Sequence, residues 1–371
     1  MNLIDQINCL IESGPFGNEI ENKNSNLLDV FKNQIAHHVG NCQEYKNWYE
    51  NNAFKSYDKI TSLEDVPFLP SAIFKHLSLK SDPENKKQIQ SSGTTSNLKS
   101  KIFLDSNTSL NQTKSLTKIL KFFLGKTKKP FFVVDVEPKF SKNTDGSIAA
   151  RFAGMSGYLL ASKSKTYLLE EGEHGRMELN KDALNQLIKA SNTDNVVVIG
   201  YTYMIWQYLL NSNDQIDLLL GENTQLIHFG GWKKLNDIKV SKQNLLEKIQ
   251  LILNLNSENV FDIYGFTEQL GTIYVAQGNE GCLVSDYSYV IVRDPITLEP
   301  VPDGTEGFLQ FMSILPTSYP GFSILNDDLG MITERKIDND GHEIIKFIVL
   351  SRLEKAESRG CGDTLPENFY I

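Results

Sequence analysis

Three short segments of the chain combine residue types that can bind a nucleotide. The first consists of Ser91, Ser92, Gly93, Thr94, Thr95 and Ser96. A loop of small residues can place its backbone amides around a phosphate, and the hydroxyl groups add hydrogen-bond donors. The Gly-Lys-Ser/Thr ending of a Walker A loop is absent. A phosphate-binding loop and an ordinary polar turn therefore both remain open.

The second segment is Tyr264-Gly265-Phe266-Thr267-Glu268, which follows an apolar run typical of a buried strand. Tyr264 could stack on a purine, Thr267 could bind a phosphate, and Glu268 could hold a magnesium ion, a hard cation that takes oxygen ligands. The alternative is a core tyrosine followed by a threonine that caps a helix.

The third segment is Asn326-Asp327-Asp328-Leu329-Gly330. A carboxylate before a turn glycine, as at Asp328, can accept hydrogen bonds from both hydroxyls of a ribose. An Asx-turn between two strands accounts for such a sequence equally well. Both interpretations place a turn at Gly330.

The middle of the chain predicts the elements that position these segments. Short apolar runs rich in β-branched residues alternate with helical patterns, which indicates βαβ units and a largely parallel sheet. The predicted strands are 130–138, 195–200, 225–231 and 259–265. In such sheets ligands bind outside the carboxyl ends of the strands. The loops after Gly200, Phe229 and Ile263 are therefore candidate sites.

The regions before and after this middle part show other sequence patterns. Residues 1–80 are predicted to be mostly helical, with His37 and His38 on a solvent-facing helix surface, and residues 88–104 read as strand, loop and strand. After residue 280, three apolar runs separated by turn-rich segments predict antiparallel structure. These runs are 287–294, 307–314 and 343–350.

Composition limits the class of protein. The chain has 371 residues, 40% hydrophobic and 22% charged, with a net charge of −9, so bulk disorder and a basic nucleic-acid footprint are both excluded. No run approaches the ~20 apolar residues of a membrane span, and because residues 1–16 have no basic region and no uninterrupted apolar run, we expect no secretory signal there. The cysteines Cys9, Cys42, Cys282 and Cys361 show no metal or CxxC spacing. We expect reduced thiols in a cytoplasmic protein.

The motifs SSGTTS, HFGGW, YGFTE, DDLG and SR, in this order, resemble the adenylate-forming superfamily of acyl-CoA ligases over residues 60–352, approximately. Three further features point to one family within this superfamily. They are the chain length, the segment 65–75 and the near-terminal Arg359-Gly360-Cys361-Gly362. They are similar to the acyl-protein synthetase family of bacterial luminescence operons, the LuxE family, over essentially the whole chain.

The resemblance implies an α/β fold, the large domain of adenylate-forming enzymes. Parallel-sheet βαβ subdomains are expected beside a smaller antiparallel β subdomain. We expect a catalytic core at residues 1–350 and a short tail at 351–371. The superfamily has a mobile C-terminal domain after the residue that matches Arg352, and its lysine reaches the adenylation site. Only 19 residues follow Arg352 here, so we expect that domain to be largely absent.

The resemblance also implies roles, carried over by motif. Ser91 to Ser96 would hold the phosphates of ATP, and Gly230, Gly231 and Trp232 would line the adenine site. Tyr264 would stack on adenine, Thr267 would contact the α-phosphate, and Glu268 would hold Mg²⁺. Asp328 and Arg352 would bind the ribose. Cys361 would receive the acyl group, although an inert tail cysteine is the simpler interpretation of that residue alone.

The implied activity is ATP-dependent activation of a carboxylic acid, a long-chain fatty acid in this family. The acyl group would pass from acyl-AMP to Cys361, and then to a fatty acyl reductase, an acyl carrier or a transferase. Two alternatives stay open. One is an adenylating ligase that uses CoA, an acyl carrier protein or a sugar amine in surface polysaccharide synthesis. The other is a nucleotide-binding scaffold without catalysis.

Overall fold

The computed structural model of the protein describes residues 1–52, 54, 56–82, 87–90, 99–138, 146–172, 176–211, 218–232 and 240–352. The predicted phosphate loop Ser91–Ser96 and the predicted acceptor Cys361 lie outside these residues. The chain divides into two compact units. Unit 1 comprises Met1–Ser115, Gly265–Thr272 and the described residues from Leu283 onward, and unit 2 comprises Leu116–Tyr264 and Ile273–Cys282.

The α-helices are α1 (Leu3–Ser13), α2 (Ile20–Asn41), α3 (Gln43–Asn51), α4 (Ile73–His76), α5 (Ser106–Leu124), α6 (Gly146–Met155), α7 (Lys181–Ser191), α8 (Thr202–Met204) and α9 (Lys242–Leu253). The strands are β1 (Leu69–Pro70), β2 (Lys87–Gln90), β3 (Lys101–Leu104), β4 (Pro130–Val136), β5 (Ser164–Glu171), β6 (Met177–Leu179), β7 (Val197–Tyr201), β8 (Gln225–Phe229), β9 (Val260–Tyr264), β10 (Tyr274–Gln277), β11 (Cys282–Leu283), β12 (Ser288–Arg293), β13 (Gly307–Ser313), β14 (Ser323–Ile337) and β15 (Glu343–Arg352).

Unit 2 is built on a mainly parallel sheet. Its strand order is β10-β9-β8-β7-β4-β5-β6, in which the five strands from β9 to β5 are parallel and the first and last strands are antiparallel to their neighbours. Residues 197–199 of β7 are completely buried, as expected for a central strand with both faces covered. The four strands predicted for this region are confirmed. Each observed strand begins and ends within two residues of its prediction.

Unit 1 contains the antiparallel strands β12-β13-β14-β15, with β1 parallel to β14, and a separate β2–β3 pair. The predicted antiparallel C-terminal region is confirmed. The turn expected at Gly330 is wrong, because Asp328 and Gly330 lie inside β14. A side chain at Gly330 would collide with the Ile348 carbonyl oxygen on β15, so this glycine permits close strand pairing.

Helix α2 buries one face in unit 1 and exposes the opposite face. Lys23, Gln34 and His38 are all buried along it. The surface position predicted for His38 is therefore wrong: its Nδ1 lies 2.7 Å from Ser81 Oγ, and its ring stacks on Phe322. The apolar surface of the His38 ring is thus covered by Phe322, and its Nδ1 has a hydrogen-bond partner. No described helix combines the length and the apolarity needed to cross a membrane.

Candidate functional site

Three neighbouring strands of unit 2 end in aromatic residues. Tyr201 ends β7, Phe229 ends β8 and Tyr264 ends β9. The rings of Tyr201 and Phe229 are 4.6 Å apart, and the ring of Tyr264 is 6.2 Å from that of Tyr274 on β10. Because the three strands are parallel, these residues share the sheet edge at which open α/β proteins bind ligands.

Thr202 holds the turn that follows β8. Its Oγ1 lies 3.0 Å from the Gly230 carbonyl oxygen and 3.3 Å from that of Phe229. The hydroxyl has one hydrogen to donate to these carbonyls, so we assign the contact with His228 Nδ1, at 3.0 Å, to a hydrogen bond donated by the histidine. The buried threonine thereby fixes the backbone that leads into Gly230 and Gly231.

His228 on β8 and Asp262 on β9 are partners in the strand register. His228 Nδ1 lies 3.6 Å from Asp262 Oδ1, with the histidine buried and the aspartate side chain 38% exposed. Burial lowers the pKa of His228, more than the Asp262 charge raises it. The neutral imidazole of His228 therefore lies beside a carboxylate that is partly exposed to solvent.

Gly230, Gly231 and Trp232 form the turn after β8. Gly230 has a φ of +71°, in the left-handed region that favours glycine, and a Cβ there would lie 3.1 Å from the Tyr201 ring. Beside Gly231, no atom of the described residues, its two chain neighbours aside, would lie within 4 Å of an added Cβ. Trp232 is buried and meets Trp206 edge to face at 5.2 Å. The turn thus combines an aromatic wall with an open glycine.

A buried ion pair lies at the carboxyl end of β4, and the sequence reasoning did not identify it. Arg151 Nε and Nη2 contact the two Asp135 carboxylate oxygens at 2.8 and 2.9 Å. The Tyr201 hydroxyl donates to the Arg151 carbonyl oxygen at 3.0 Å. The sequence offered one sign of this pair, the single carboxylate of Asp135 in the apolar run PFFVVDV. A buried charge needs a partner of opposite charge, so such a residue predicts a buried ion pair. Thr202 and Asp262 carried no comparable signal.

In unit 1, Thr267–Gln269 form a short 3-10 helix whose position is fixed by backbone contacts. Gln269 Nε2 donates to the carbonyl oxygens of Phe311 and Gly321, at 3.0 and 2.9 Å. The Tyr319 hydroxyl donates to the Glu268 carbonyl oxygen at 2.9 Å. Thr267 is thus not the cap of an α-helix, because its segment stops after one turn.

The Glu268 side chain is suited to a hard cation. Glu268 is only 8% exposed. Burial raises the pKa of Tyr319, and the nearby Glu268 carboxylate raises it further. A carboxylate held in such surroundings is stabilised by a cation, and oxygen donors are the ligands that Mg²⁺ prefers.

Asp328 and Arg352 are register partners on β14 and β15. Asp328 is buried, and one of its carboxylate oxygens accepts a hydrogen bond from Asn326 Nδ2 at 3.1 Å. Asn326 and Asp328, two residues apart, lie on the same face of the strand. The backbone pairing brings the two residues predicted to bind a ribose to adjacent strand positions.

The comparisons with known proteins agree with the motifs. The family described as "Acyl-protein synthetase, LuxE" matches residues 2–370 of the chain. The chain belongs to this family. A long-chain-fatty-acid–luciferin-component ligase of Aliivibrio fischeri is 22% identical over 331 residues, which is 88% of this chain and 84% of that protein. The Vibrio harveyi protein of the same name is 23% identical over 345 residues, 92% and 87% of the two chains. The prediction that this LuxE-family chain is a ligase is confirmed at the level of the family.

Solved structures confirm the fold of this LuxE-family protein. An open conformation of 2-hydroxyisobutyryl-CoA ligase, in complex with 2-HIB-AMP and CoA, superposes with a TM-score of 0.63. The identity is 15%, and the match covers 92% of this chain and 77% of the ligase. A postadenylation state of the same ligase gives the same TM-score over 91% and 69%. The predicted fold of the adenylate-forming ligases is therefore confirmed, while the residue roles and the division at residue 350 stay predictions.

Proposed function

We propose that the protein uses ATP and Mg²⁺ to activate a carboxylic acid as acyl-AMP and then transfers the acyl group to the thiol of Cys361. The observation that carries the proposal is the family match over residues 2–370. The names of the two bacterial relatives favour a long-chain fatty acid as the substrate.

The first step forms one bond and breaks another at the α-phosphorus of ATP. A carboxylate oxygen attacks that phosphorus, the bond to the β-phosphate oxygen breaks, and pyrophosphate leaves. Negative charge on the phosphate oxygens is stabilised by oriented donors and by the metal. We assign the donors to Ser91–Ser96 and Thr267, and the metal to Glu268.

The adenine base needs a flat surface on which to stack, and the two ribose hydroxyls need a group that accepts their hydrogen bonds. We assign stacking on adenine to Tyr264, and the lining of the adenine site to Gly230, Gly231 and Trp232. The open space beside Gly231 supports this assignment. The ribose is assigned to Asp328 and Arg352, whose strands are paired.

In the second step a thiolate at Cys361 attacks the acyl carbonyl carbon, and AMP leaves as the carbon–oxygen bond breaks. The thioester then passes the acyl group to a partner such as a fatty acyl reductase, an acyl carrier or a transferase. Cys42 and Cys282 are buried, and burial raises the pKa of each thiol, so neither is suited to this role. We place the reaction in the cytoplasm, where reduced thiols persist; the free state of the described cysteines supports this.

Intact mass measurement tests both steps. The protein is incubated with ATP, Mg²⁺ and a panel of carboxylic acids, with exchange of labelled pyrophosphate into ATP measured in parallel. We expect an acyl adduct that neutral hydroxylamine removes, absent in Cys361→Ser and retained in Cys9→Ser. Cys9 is an exposed cysteine and serves as the matched control.

The other outcomes separate the competing functions. Exchange without an adduct overturns self-acylation and indicates a separate acceptor, such as CoA, an acyl carrier protein or a sugar amine. Neither exchange nor an adduct with any acid indicates a nucleotide-binding scaffold. An adduct that survives in Cys361→Ser shows that another group accepts the acyl chain.

A further inference from the structure

Unit 2 carries a cluster of lysines that the proposed reaction does not use. Residues 121–129 contain four lysines and residues 160–165 contain two, with no aspartate or glutamate in either segment. The whole chain has a net charge of −9. A local excess of one sign in a chain of the opposite sign creates a field that attracts a specific class of partner.

The sheet brings the two segments together. They lead into β4 and β5, which are parallel neighbours with Pro130 opposite Ser164. The Lys163 amide donates to the Lys129 carbonyl oxygen at 2.8 Å, and Lys128 Nζ donates to the Leu160 carbonyl oxygen at 3.2 Å. The two segments therefore form one surface at the amino-terminal ends of these strands.

This surface contains an open depression of about 410 Å³. It is lined by Lys128, Leu159, Leu160, Ser162, Lys163, Ser164 and Lys165. Its polar groups are ammonium and hydroxyl donors, and its apolar part includes Leu160, which is 50% exposed. We call these residues, with Lys121 and Lys126 beside them, the lysine surface.

The charges of the lysine surface are not balanced locally. Its five lysines are all exposed, and none has a carboxylate within 4.0 Å among the residues that the structure describes. These lysines are Lys121, Lys126, Lys128, Lys163 and Lys165. Like charges held together in this way repel one another, so an anionic ligand that binds here is favoured.

We propose that the lysine surface binds the phosphate groups of an anionic phospholipid bilayer, with Leu160 entering the interface. Lysine is a flexible point charge, which suits mobile headgroups better than a fixed bidentate geometry. Basic residues around an exposed apolar side chain combine the two attractions that hold a peripheral protein on such a surface. Ser164 adds a hydroxyl donor at the same depression.

The position of the surface makes this binding independent of catalysis. It lies at the amino-terminal ends of β4 and β5, whereas Thr202, Gly230 and Tyr264 lie at or beyond the carboxyl ends of strands in the same sheet. A bilayer at one end leaves the other end open to solution. If the proposed function holds, the same bilayer supplies a long-chain acid that partitions into it; the binding proposal itself does not depend on that activity.

Vesicle flotation without ATP tests the proposal. Vesicles of phosphatidylcholine alone are compared with vesicles that also contain phosphatidylglycerol. We expect binding only to the anionic vesicles, weakened by salt. The variant Lys128→Glu/Lys163→Glu/Lys165→Glu should bind about 100-fold more weakly, since each lysine near an anionic surface contributes about fivefold. Leu160→Ser should weaken binding in part.

The control changes the same charge elsewhere. Lys59, Lys181 and Lys189 are exposed lysines outside the surface, so their triple change to Glu should retain most of the vesicle binding. Equal loss in both triple variants shows that only net charge matters and overturns the site. Binding of the wild type to neutral vesicles alone, or to polyglutamate but to no vesicle, also overturns it. Thermal unfolding of each variant confirms that it is folded.

Discussion

His228 Nδ1 lies 3.6 Å from Asp262 Oδ1, and the two residues are register partners on adjacent parallel strands. His228 is buried and the Asp262 side chain is 38% exposed, so the pair extends from the interior of unit 2 toward solvent. The same imidazole nitrogen contacts the Thr202 hydroxyl that holds the turn at Gly230. Because His228 is buried, its protonation bears on the stability of the folded protein.

This relationship predicts how stability depends on pH. Burial lowers the pKa of His228 below its ordinary value of 6.5 in the folded protein, so the unfolded chain binds the proton more readily. The stability from neutral His228 is fully present above pH 6.5 and is lost as the pH falls from there toward the lowered pKa. We expect His228→Gln to reduce the slope of the unfolding free energy against pH by up to about 1.4 kcal/mol per pH unit.

Chemical denaturation from about pH 7 to pH 5 measures this slope. Thr202→Val is the control, because it removes the same hydrogen bond without removing a titrating group. It should lower stability by about 1–2 kcal/mol at every pH and leave the slope unchanged. A wild-type slope in His228→Gln contradicts the prediction. His38, whose pKa burial also lowers, is expected to add its own contribution in the same direction.

The strands that hold the candidate site could be predicted because burial on both faces leaves a continuous apolar run. β4, β7 and β8 are buried over nearly their whole length, and β9 is buried except at Asp262 and Tyr264. β5 was missed because its sequence, SKTYLLEE, is apolar only at its centre and its ends are exposed. The alternation of strands with helical patterns is confirmed after β7, but Ile205–Leu210 adopt π-helical winding, which periodicity does not distinguish from an α-helix.

The polar contacts of the site could not be predicted. Thr202 begins α8, His228 lies on β8 and Asp262 lies on β9, and they become neighbours only through the sheet register, which the sequence does not state. His38 shows the same limit, since Lys23, Gln34 and His38 place polar residues on the buried face of α2, where the apolar pattern gives no sign of them. The motif DDLG singled out Asp328 in the sequence. Its position inside β14 could not be predicted, because it depends on the close pairing of β14 with β15 at Gly330.

The two glycines after β8 predict different effects of the same substitution. Gly230→Ala places a side chain at a φ of +71° and against the Tyr201 ring, so we expect a loss of about 1–2 kcal/mol in stability. Gly231→Ala meets open space and should unfold at the same temperature as the wild type. If Gly231 lines the adenine site, its variant still raises the KM for ATP. Thermal unfolding and pyrophosphate exchange together measure both effects; an unchanged KM contradicts the adenine assignment.

The assignment of Glu268 predicts a change in magnesium dependence. Glu268→Gln keeps the shape and removes the charge, so a higher magnesium concentration should be needed for exchange. At limiting magnesium we expect a rate lower by about tenfold or more, with partial recovery at saturation. Glu258→Gln, an exposed change elsewhere, should follow the wild-type curve. Identical magnesium curves for the wild type and Glu268→Gln refute the assignment.

The buried Lys23 of α2 gives a prediction about stability that does not depend on the proposed activity. Lys23 Nζ lies 3.4 Å from Asp286 Oδ1 and 3.5 Å from Glu343 Oε2, and all three residues are almost fully buried. Lys23→Met leaves two buried carboxylates with one cation fewer, because Glu343 keeps only its contact with Arg335. We expect a loss of about 3–5 kcal/mol, measured by urea denaturation.

Lys46→Met is the matched control for this change. Lys46 pairs with Glu50 at 3.9 Å on the solvent-exposed side of α3, and an exposed pair one helical turn apart contributes only about 0.3–0.5 kcal/mol. The two variants remove the same charge and add the same side chain, so the difference between them measures burial. Equal midpoints would mean that water or a rearranged side chain compensates Asp286. In that case Lys23→Met/Asp286→Asn should be no more stable than Lys23→Met, whereas an uncompensated carboxylate predicts recovery in the double variant.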